Sequence, residues 1–235
     1  MIDLFYFVSP NARKIHMALE ELDLPYAVRW VDITTGDQFA PQFLQVNPNG
    51  KIPAIVDHDG PGGAPVALFE SAAILLYLAE KTGALLPDDP VARWEAICWT
   101  VWQVANQGPG LGQATHFLKY APDGGHTDPY AQDRFRAEAG RVYRVLDERL
   151  AGREYLAGDM FSIADIACFP WTRLHRNHGV DVAEYPHVAA WSERIATRPS
   201  ARAKIEDRRD EATKRFEYSA AQRAVLFPTA PEARS

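Results

Sequence analysis

The stretch KIPAIVDHDGPGGAPVALFESAAILLYLAEK, residues 51–81, decides the fold. Two short β-rich runs, residues 52–57 and 66–69, flank a loop rich in glycine and proline, which is the pattern of a β-hairpin. A helix over residues 71–82 follows, because AAILLYLAEK consists of strong helix formers. The stretch therefore predicts two antiparallel strands followed by an apolar helix.

Two features interrupt this regular pattern. Pro53 stands at the start of a strand, where it has no N–H to give to a neighbouring strand. The polar pair Glu70-Ser71 stands at the strand-to-helix junction, where helix N–H groups and the helix dipole favour an anion. We interpret the two features together as a site for a small acidic ligand, although Ser71 also fits a simple role as helix cap.

Upstream of this stretch, strand and helix signals alternate. Residues 2–7 and 26–31 are β-rich, and Ser9-Pro10 supplies an N-cap followed by proline, which predicts a helix over residues 10–23. A further short helix is predicted around residues 40–45. The order is β-α-β-α-β-β-α, in which the βαβ unit makes the first two strands parallel and the hairpin adds an antiparallel edge. This is an α/β domain with the thioredoxin-like arrangement.

Downstream, strand signals vanish after LLPDDP, residues 85–90. Helices are predicted over residues 90–107, 128–150, 163–178, 187–197 and 200–215. Ser162, with Asp165 three residues on, starts one of them in a pattern close to a capping box. We therefore predict a thioredoxin-like domain over residues 1–84, an all-α bundle over residues 90–218, and a C-terminal tail over residues 219–235 whose end is extended or frayed.

Composition excludes several classes of function. The chain has 235 residues and a net charge of −6, so nothing suggests a nucleic-acid or anionic-membrane partner. No signal-like N-terminus and no apolar run of membrane-spanning length are present, which predicts a cytoplasmic protein. Histidine and cysteine spacing predicts no metal site. Cys98 and Cys168 stand among large apolar residues and are expected to be buried, reduced thiols.

The motifs NPNGKIPAIVD, LFESAAILLYLAEK and YLAGDMFSIADIACFPW resemble those of cytosolic glutathione transferases over residues 1–200. More closely, FVSPNARKI, GDQFAPQFLQVNPNGKIPAIVD and WQVANQGPGLGQ resemble the bacterial Nu class, whose members reduce disulfides with glutathione. Ser9 stands where that class usually carries threonine, so the hydroxyl is kept and the methyl is lost. The resemblance implies glutathione as co-substrate and a two-fold homodimer.

The resemblance also assigns roles to the residues singled out above. A cis Ile52-Pro53 bond would leave the backbone of Ile52 facing outward, able to bond the cysteinyl part of glutathione as a further strand would. Ser71 would hold the α-carboxylate of the γ-glutamyl group, and Glu70 its ammonium. Ser9 or Asn11, at the start of the first helix, would donate a hydrogen bond to the thiolate, although both also fit a capping role. Tyr6 is a weaker candidate for that contact.

Four more residues are placed around the ligand by the resemblance. Lys51 would pair with the glycine carboxylate of glutathione, with Gln38 and Asn49 beside it on the rim. Arg134 would reach toward the site from the helical domain across a dimer. Each of the four also fits an ordinary solvated side chain.

Three functions stay open from the sequence. The protein is a glutathione-dependent disulfide reductase, a transferase that conjugates glutathione to an apolar electrophile, or a non-catalytic glutathione-binding module. No cysteine precedes Cys98, so a thioredoxin-type C-x-x-C mechanism is excluded and the attacking thiol must come from the ligand. The Nu-like motifs favour the first function. The second substrate is not specified by the sequence.

Overall fold

The computed structural model describes residues 1–228. Its N-terminal part contains four strands and three α-helices in the predicted order β-α-β-α-β-β-α. These elements are β1 (Ile2–Tyr6), α1 (Pro10–Glu21), β2 (Tyr26–Trp30), α2 (Pro41–Leu44), β3 (Ala54–Asp57), β4 (Val66–Phe69) and α3 (Ser71–Thr82).

The four strands form one mixed sheet in the order β2-β1-β3-β4. β1 pairs parallel with β2, whereas β3 pairs antiparallel with both β1 and β4. The parallel first pair and the antiparallel hairpin confirm the thioredoxin-like arrangement predicted from the sequence. The helix α1 crosses over between the two parallel strands and packs against α3.

The C-terminal part is helical. Its α-helices are α4 (Pro90–Trp102), α5 (Gly108–Thr115), α6 (Ala121–Asp123), α7 (Pro129–Leu150), α8 (Ile163–Thr172), α9 (Pro186–Ala196), α10 (Pro199–Arg202), α11 (Glu211–Lys214) and α12 (Ala220–Leu226). The capping box at the start of α8 is present, since Asp165 Oδ2 accepts from the Ser162 backbone N–H at 3.0 Å. The predicted α/β domain followed by an all-α domain is therefore confirmed.

The predicted end of the helix at residue 107 is wrong. The helix continues from α4 through two π-type turns, Gln103–Gln107 and His116–Tyr120, to the end of α6. The sequence GPG at residues 108–110 looks like a helix stop, because Pro109 has no N–H and its ring crowds the preceding turn. The wider π-type turn directly before it leaves room for that ring, so the helix is not broken.

Two other predicted helices are too long. The helix predicted over residues 163–178 ends at Thr172 and is followed by a 3₁₀ turn, His175–His178. The helix predicted over residues 200–215 is reduced to α10 and α11. Between them Asp207 binds Arg209 two residues on, a spacing at which side chains do not face each other on a helix.

The tail differs from the prediction where the structure describes it. α12 packs back onto the molecule, with Arg223 donating to the Tyr120 carbonyl at 2.9 Å and Gln222 lying 3.4 Å from Thr34. Residues 229–235 of the predicted tail lie outside the described residues. The domain boundaries predicted at residues 84, 90 and 218 stay predictions.

One hydrophobic core runs through both parts of the chain, and α1 packs against α8 as well as α3. Cys168 is fully buried in that core, whereas Cys98 is exposed on α4, so the expectation that both thiols are buried is wrong for Cys98. Ile97 and Trp99, its neighbours in sequence, are partly buried, whereas Cys98 lies on the exposed face of α4 with Trp94 and Val101. Within residues 1–228, no helix combines the length and the apolar character that crossing a membrane requires.

Candidate active site

Strand register brings the candidate segments together at one end of the sheet, where β1 and β4 finish and β3 begins. In the β3–β4 pair, Ala54 lies opposite Phe69. The next step of the same register sets Pro53 opposite Glu70. β1 pairs with the other side of β3, so the chain that leaves β1 toward Ser9 passes the same end of the sheet. Segments far apart in sequence therefore lie together because the sheet aligns them.

The Ile52-Pro53 peptide bond is cis, as expected. The Ile52 backbone N–H and C=O form no hydrogen bond among residues 1–228. The loop before them is braced by Asn47, a buried side chain whose Nδ2 donates to the Lys51 carbonyl at 2.6 Å. An unpaired N–H and C=O pair just before the start of a strand can bind an extended peptide as an added strand would.

Glu70 occupies a strained backbone conformation at the start of α3. Its φ is 67° and its ψ 114°, values that a non-glycine residue adopts at a cost of about 1–3 kcal/mol. Its side chain is exposed and makes no capping bond, so the first N–H groups of α3 have no side-chain cap among residues 1–228. A carboxylate beside a free helix N-terminus offers partners of opposite character for the ammonium and carboxylate of an amino acid.

Ser71 is the first residue of α3 and is buried. Its Oγ accepts a hydrogen bond of 3.1 Å from the ammonium of Lys14, a fully buried residue of α1. The sequence analysis did not single out Lys14. The available signal was a lysine on the face of α1 that also carries Ile15 and Ala18, a face that is otherwise apolar.

Ser9 and Asn11 lie at the start of α1, as the sequence predicts. Ser9 Oγ accepts from the Ala12 N–H at 3.1 Å, so Ser9 is the N-cap of α1. Asn11 Oδ1 accepts from the indole N–H of Trp171, on α8, at 2.9 Å. Because an indole nitrogen only donates, this bond fixes which end of the amide is the oxygen and leaves the Asn11 NH₂ as the free end.

Trp171 is a second residue that sequence reasoning missed. Its ring lies against α5, where a Cβ added to Gly112 would come within 3.5 Å of the indole. It stacks at 6.3 Å on His178, whose pKa burial lowers to about 3, so that ring is neutral. Nothing local in the motif IACFPW indicates that its tryptophan reaches α1.

The rim candidates have unequal surroundings. Asn49 and Lys51 are exposed at the loop before β3. Gln38 is buried, with Nε2 donating to the Ile33 carbonyl at 3.2 Å, and its Oε1 has no partner within residues 1–228. Its amide is therefore already engaged on one side.

The other two candidates lie apart from these contacts. Arg134 is exposed on α7 and lies 3.7 Å from Glu138 of the same helix. Tyr6 is buried against Trp30 and His16, and burial raises the pKa of its phenol. Among residues 1–228, no three metal-ligating side chains are grouped closely enough to hold an ion.

A cavity of about 570 Å³ opens between the end of the long helix and α12. Its walls are largely aromatic and include Phe117, Tyr120 and Phe227, with Arg223 at one side. Such a lining suits an apolar or aromatic group.

Two family models match this chain. Residues 8–81 match the model of the glutathione S-transferase N-terminal domain, and residues 110–199 match that of the C-terminal domain. The chain belongs to the glutathione transferase family. The N-terminal match contains all the site candidates except Tyr6 and Arg134, and the C-terminal match contains Arg134 and Trp171.

Two curated relatives among the glutathione transferases are from Escherichia coli K12. The disulfide-bond oxidoreductase YfcG is 49% identical over 201 residues, which cover 85% of this chain and 92% of that protein. The disulfide-bond oxidoreductase YghU is 39% identical over 213 residues, which cover 85% of this chain and 72% of that protein.

Solved glutathione transferases have the same fold. One from Burkholderia graminis, with two glutathione molecules bound per subunit, is 42% identical with a TM-score of 0.80, and the match covers 85% of each chain. One from Pseudomonas putida, with one glutathione disulfide per subunit, is 38% identical with a TM-score of 0.81, covering 86% of this chain and 89% of that one.

Proposed function

We propose that this protein is a glutathione-dependent disulfide-bond reductase in which bound glutathione supplies the attacking thiolate. The observation that carries the proposal is the Asn11 amide, which Trp171 holds by its oxygen so that its N–H donors are free at the start of α1. A donor fixed in this way stabilises a thiolate more than a thiol. Membership of the family and the names of the Escherichia coli relatives support the same reaction.

Glutathione would lie as an extended peptide at the end of the sheet where β3 begins and β4 finishes. Its cysteinyl backbone would pair with Ile52 beside Pro53, and its γ-glutamyl group would lie at Glu70 and Ser71. The other end would lie near the loop that carries Asn49 and Lys51, with Gln38 beside it. This order follows from the register that sets residue 53 opposite residue 70.

The energy required for thiol activation is modest. A free thiol has a pKa of about 8.5, and lowering it by two units requires about 2.7 kcal/mol of preferential stabilisation of the thiolate. One or two hydrogen bonds to the charged form, at about 1.5–3 kcal/mol each, supply that amount. Asn11 Nδ2 and the Ser9 hydroxyl are the proposed donors, with help from the dipole of α1.

The exchange takes two steps. The glutathione thiolate attacks one sulfur of the substrate disulfide, forming a mixed disulfide and releasing the other sulfur as a thiolate that takes up a proton. A second glutathione thiolate then attacks the glutathione sulfur of the mixed disulfide, giving glutathione disulfide and the second substrate thiol. Two glutathione molecules are oxidised and one disulfide is reduced. The Burkholderia graminis relative, which binds two glutathione molecules per subunit, supports this stoichiometry.

The protein's own thiols do not enter this scheme. Cys168 is fully buried, and burial raises its pKa well above the ordinary value, so it is a protonated, inaccessible thiol. Cys98 is exposed on α4 and lies outside the site described above. A variant with Cys98→Ser and Cys168→Ala should therefore retain reductase activity if it folds.

The decisive experiment combines calorimetry with a disulfide-reductase assay on a small dialkyl disulfide. Wild type and the cysteine-free variant should both bind glutathione and turn over. Asn11→Ala should raise the apparent pKa of the pH–rate profile by about one unit and lower turnover at pH 7 about tenfold. No binding at millimolar glutathione, or loss of activity in a folded cysteine-free variant, would overturn the proposal.

A second candidate function is conjugation of glutathione to an apolar electrophile, favoured by the aromatic cavity of about 570 Å³. The two functions separate in one comparison, since Phe227→Ala should slow turnover of an aryl halide and leave that of a small dialkyl disulfide unchanged. Equal losses with both substrates would argue against a separate role for the cavity.

We further propose that two copies pair through α4. Val91, Trp94, Cys98 and Val101 follow one helix face at three- and four-residue spacing, and all four are exposed. An exposed apolar stripe of this kind typically marks a protein interface. Arg134 is proposed to approach the partner's site across such a dimer. Separately from the dimer, we also propose the cytoplasmic location that was inferred from the sequence.

A further inference from the structure

Lys14 is a fully buried lysine that links α1, α3 and the helical domain. Its ammonium donates to Ser71 Oγ, at the first residue of α3, and to Gln103 Oε1, in the first π-type turn. The side chain is 0% exposed. An ammonium so far from water is costly to bury, so its position beneath the start of α3 calls for a functional explanation.

The direction of the bond to Ser71 has a consequence. An ammonium has three N–H donors and no acceptor, so Ser71 Oγ must be the acceptor. The hydroxyl hydrogen of Ser71 is then left to donate elsewhere, and it makes no hydrogen bond to an acceptor among residues 1–228. Lys14 thereby makes Ser71 a donor at the helix N-terminus, which is what a carboxylate requires.

We propose that Lys14 is a positioning residue for the γ-glutamyl carboxylate of glutathione. It turns the Ser71 hydroxyl outward to the ligand and adds a positive charge beneath the N-terminus of α3. This inference rests on the proposed function, and it assigns to that site a cation that the ligand does not touch.

Binding of the ligand should change the fraction of Lys14 that is protonated. Burial lowers its pKa to about 7, against a smaller opposing effect of the Glu70 carboxylate at the start of α3, while the protonated Cys168 on α8 carries no charge. The π-type turn contributes the neutral Gln103. At neutral pH the side chain is therefore divided between the charged and uncharged forms, and a carboxylate bound nearby favours the charged form.

Two consequences follow for binding. Affinity for glutathione should fall as the pH rises above about 7, because the free protein then loses the Lys14 proton. Binding above that pH should draw a proton from solution, up to about 0.8 per site at pH 7.5 if the complex keeps Lys14 fully charged. S-methylglutathione is the suitable probe, because it has no thiol to ionise.

The test uses Lys14→Met and the double variant Lys14→Met/Gln103→Leu. The double variant removes Gln103 Oε1 together with its donor, so it preserves the fold if the single variant leaves a buried acceptor unpaired. We expect the Kd for S-methylglutathione to rise about tenfold at pH 6.5. Lys214→Met, which removes a lysine paired with Glu211 on α11, is the matched control and should leave the Kd unchanged.

Proton uptake is measured by calorimetry at pH 7.5 in buffers of different ionisation enthalpy. Wild type and Lys214→Met should take up a proton fraction that the Lys14 variants lack. A residue that only supports the fold would affect the melting temperature and not this quantity. Absence of uptake in the wild type, or an unchanged Kd in a folded Lys14 variant, overturns the proposal.

A double-mutant cycle with Ser71→Ala completes the test. If Lys14 acts through the hydroxyl, the two losses should not add, since removing Ser71 removes most of what Lys14 positions. Additive losses would contradict that route. A wild type that binds no glutathione overturns the proposed function as well, whereas a wild type that binds normally beside unaffected Lys14 variants overturns the Lys14 proposal alone.

Discussion

At the scale of single residues, the candidate site depends on side chains that orient other side chains. Trp171 holds Asn11 by its amide oxygen, and Lys14 holds Ser71 by its hydroxyl oxygen. In both pairs the outer residue is left as a hydrogen-bond donor. Donors aimed outward suit a ligand that carries a thiolate at one point and a carboxylate at another.

Replacing Trp171 by phenylalanine tests the first of these pairs. Trp171→Phe keeps an aromatic ring and removes the indole N–H, so the Asn11 amide is free to rotate. We expect kcat/KM at pH 7 to fall about three- to tenfold and the apparent pKa of the pH–rate profile to rise by several tenths.

The matched control is Trp191→Phe. Trp191 donates its indole N–H to Asp165 Oδ1 at 2.9 Å in the core, outside the site. This variant should lose stability and keep the wild-type pH–rate profile. A shift of the profile in both variants, or in neither, would contradict a positioning role for Trp171.

At the scale of elements, the start of α3 combines backbone strain with an unfilled helix N-terminus. Glu70 has a φ of 67°, in the positive-φ half of backbone space that glycine enters at a lower cost than other residues. The strain is retained where the side chain is exposed and makes no capping bond. Strained positions of this kind concentrate at functional sites.

Glu70→Gly should therefore separate stability from binding. We expect the free energy of unfolding to stay constant or rise by about 1 kcal/mol, because relief of strain offsets the greater freedom of glycine in the unfolded chain. Glutathione affinity should fall by about 1.5–3 kcal/mol through the lost charge-assisted contact. Urea unfolding and calorimetry measure the two quantities.

Asp23→Gly is the matched control for this change. Asp23 is exposed, has a φ of 49°, and lies between α1 and β2, outside the candidate site. It should show a similar effect on stability and none on affinity. A Glu70→Gly protein that binds glutathione as tightly as the wild type would remove Glu70 from the site.

The packing of α7 against the turn after α8 predicts a dependence of stability on pH. Tyr143 donates its O–H to the Thr172 carbonyl at 3.2 Å, so its oxygen accepts from Nδ1–H of His178 at 3.0 Å. Burial lowers the pKa of His178 to about 3, below the unfolded value of about 6.5. Between these pKa values His178 binds a proton in the unfolded chain and not in the folded chain. The free energy of unfolding therefore falls as the pH drops from about 6.5 toward 3.

At pH 5 this histidine should cost about 2 kcal/mol of folding free energy relative to pH 7.5. His178→Phe should reduce the difference in unfolding free energy between the two pH values by that amount, measured by urea titration. His126→Phe, at an exposed histidine, is the control and should leave the difference unchanged. An unaltered pH dependence in His178→Phe would show that other groups cause it.

At the scale of the whole molecule, the apolar stripe on α4 is a helix face that the single chain leaves uncovered. Trp94 is 65% exposed and Val91 71%, values unusual for large apolar side chains. Covering both of them with a second copy would bury the stripe and complete a two-fold dimer. Arg134 could then act on the partner's site.

Placing a charge in the stripe tests this assembly. Trp94→Glu should convert a dimer to a monomer in sedimentation at micromolar concentration, because pairing would bury an unpaired carboxylate. Val66→Glu, on the partly buried outer strand β4, is a control that adds the same charge away from α4. A wild-type protein that sediments as a monomer would contradict the dimer.

The sequence by itself determined the order of strands and helices, the family, and the segments that carry the site. Those features depend on local patterns: a proline that starts a strand, a serine before a proline, and an apolar run after Glu70-Ser71. Such patterns give a wrong helix boundary where a residue that usually ends a helix, such as proline, is accommodated within it. The GPG at residues 108–110 predicted a helix end, because the π-type turn that accommodates Pro109 has no sequence signature.

Only the tertiary structure decided which residues orient the site. Lys14 meets Ser71 across 57 positions of sequence, and Asn11 meets Trp171 across 160. No periodicity or spacing encodes such partners, because they are set by how α1 packs against α3 and α8. The outward direction of Cys98 was likewise decided by packing, since the helix face that it shares with Val91, Trp94 and Val101 is exposed. A local pattern determines whether a segment is a strand or a helix. Packing against distant segments determines which partners its side chains contact.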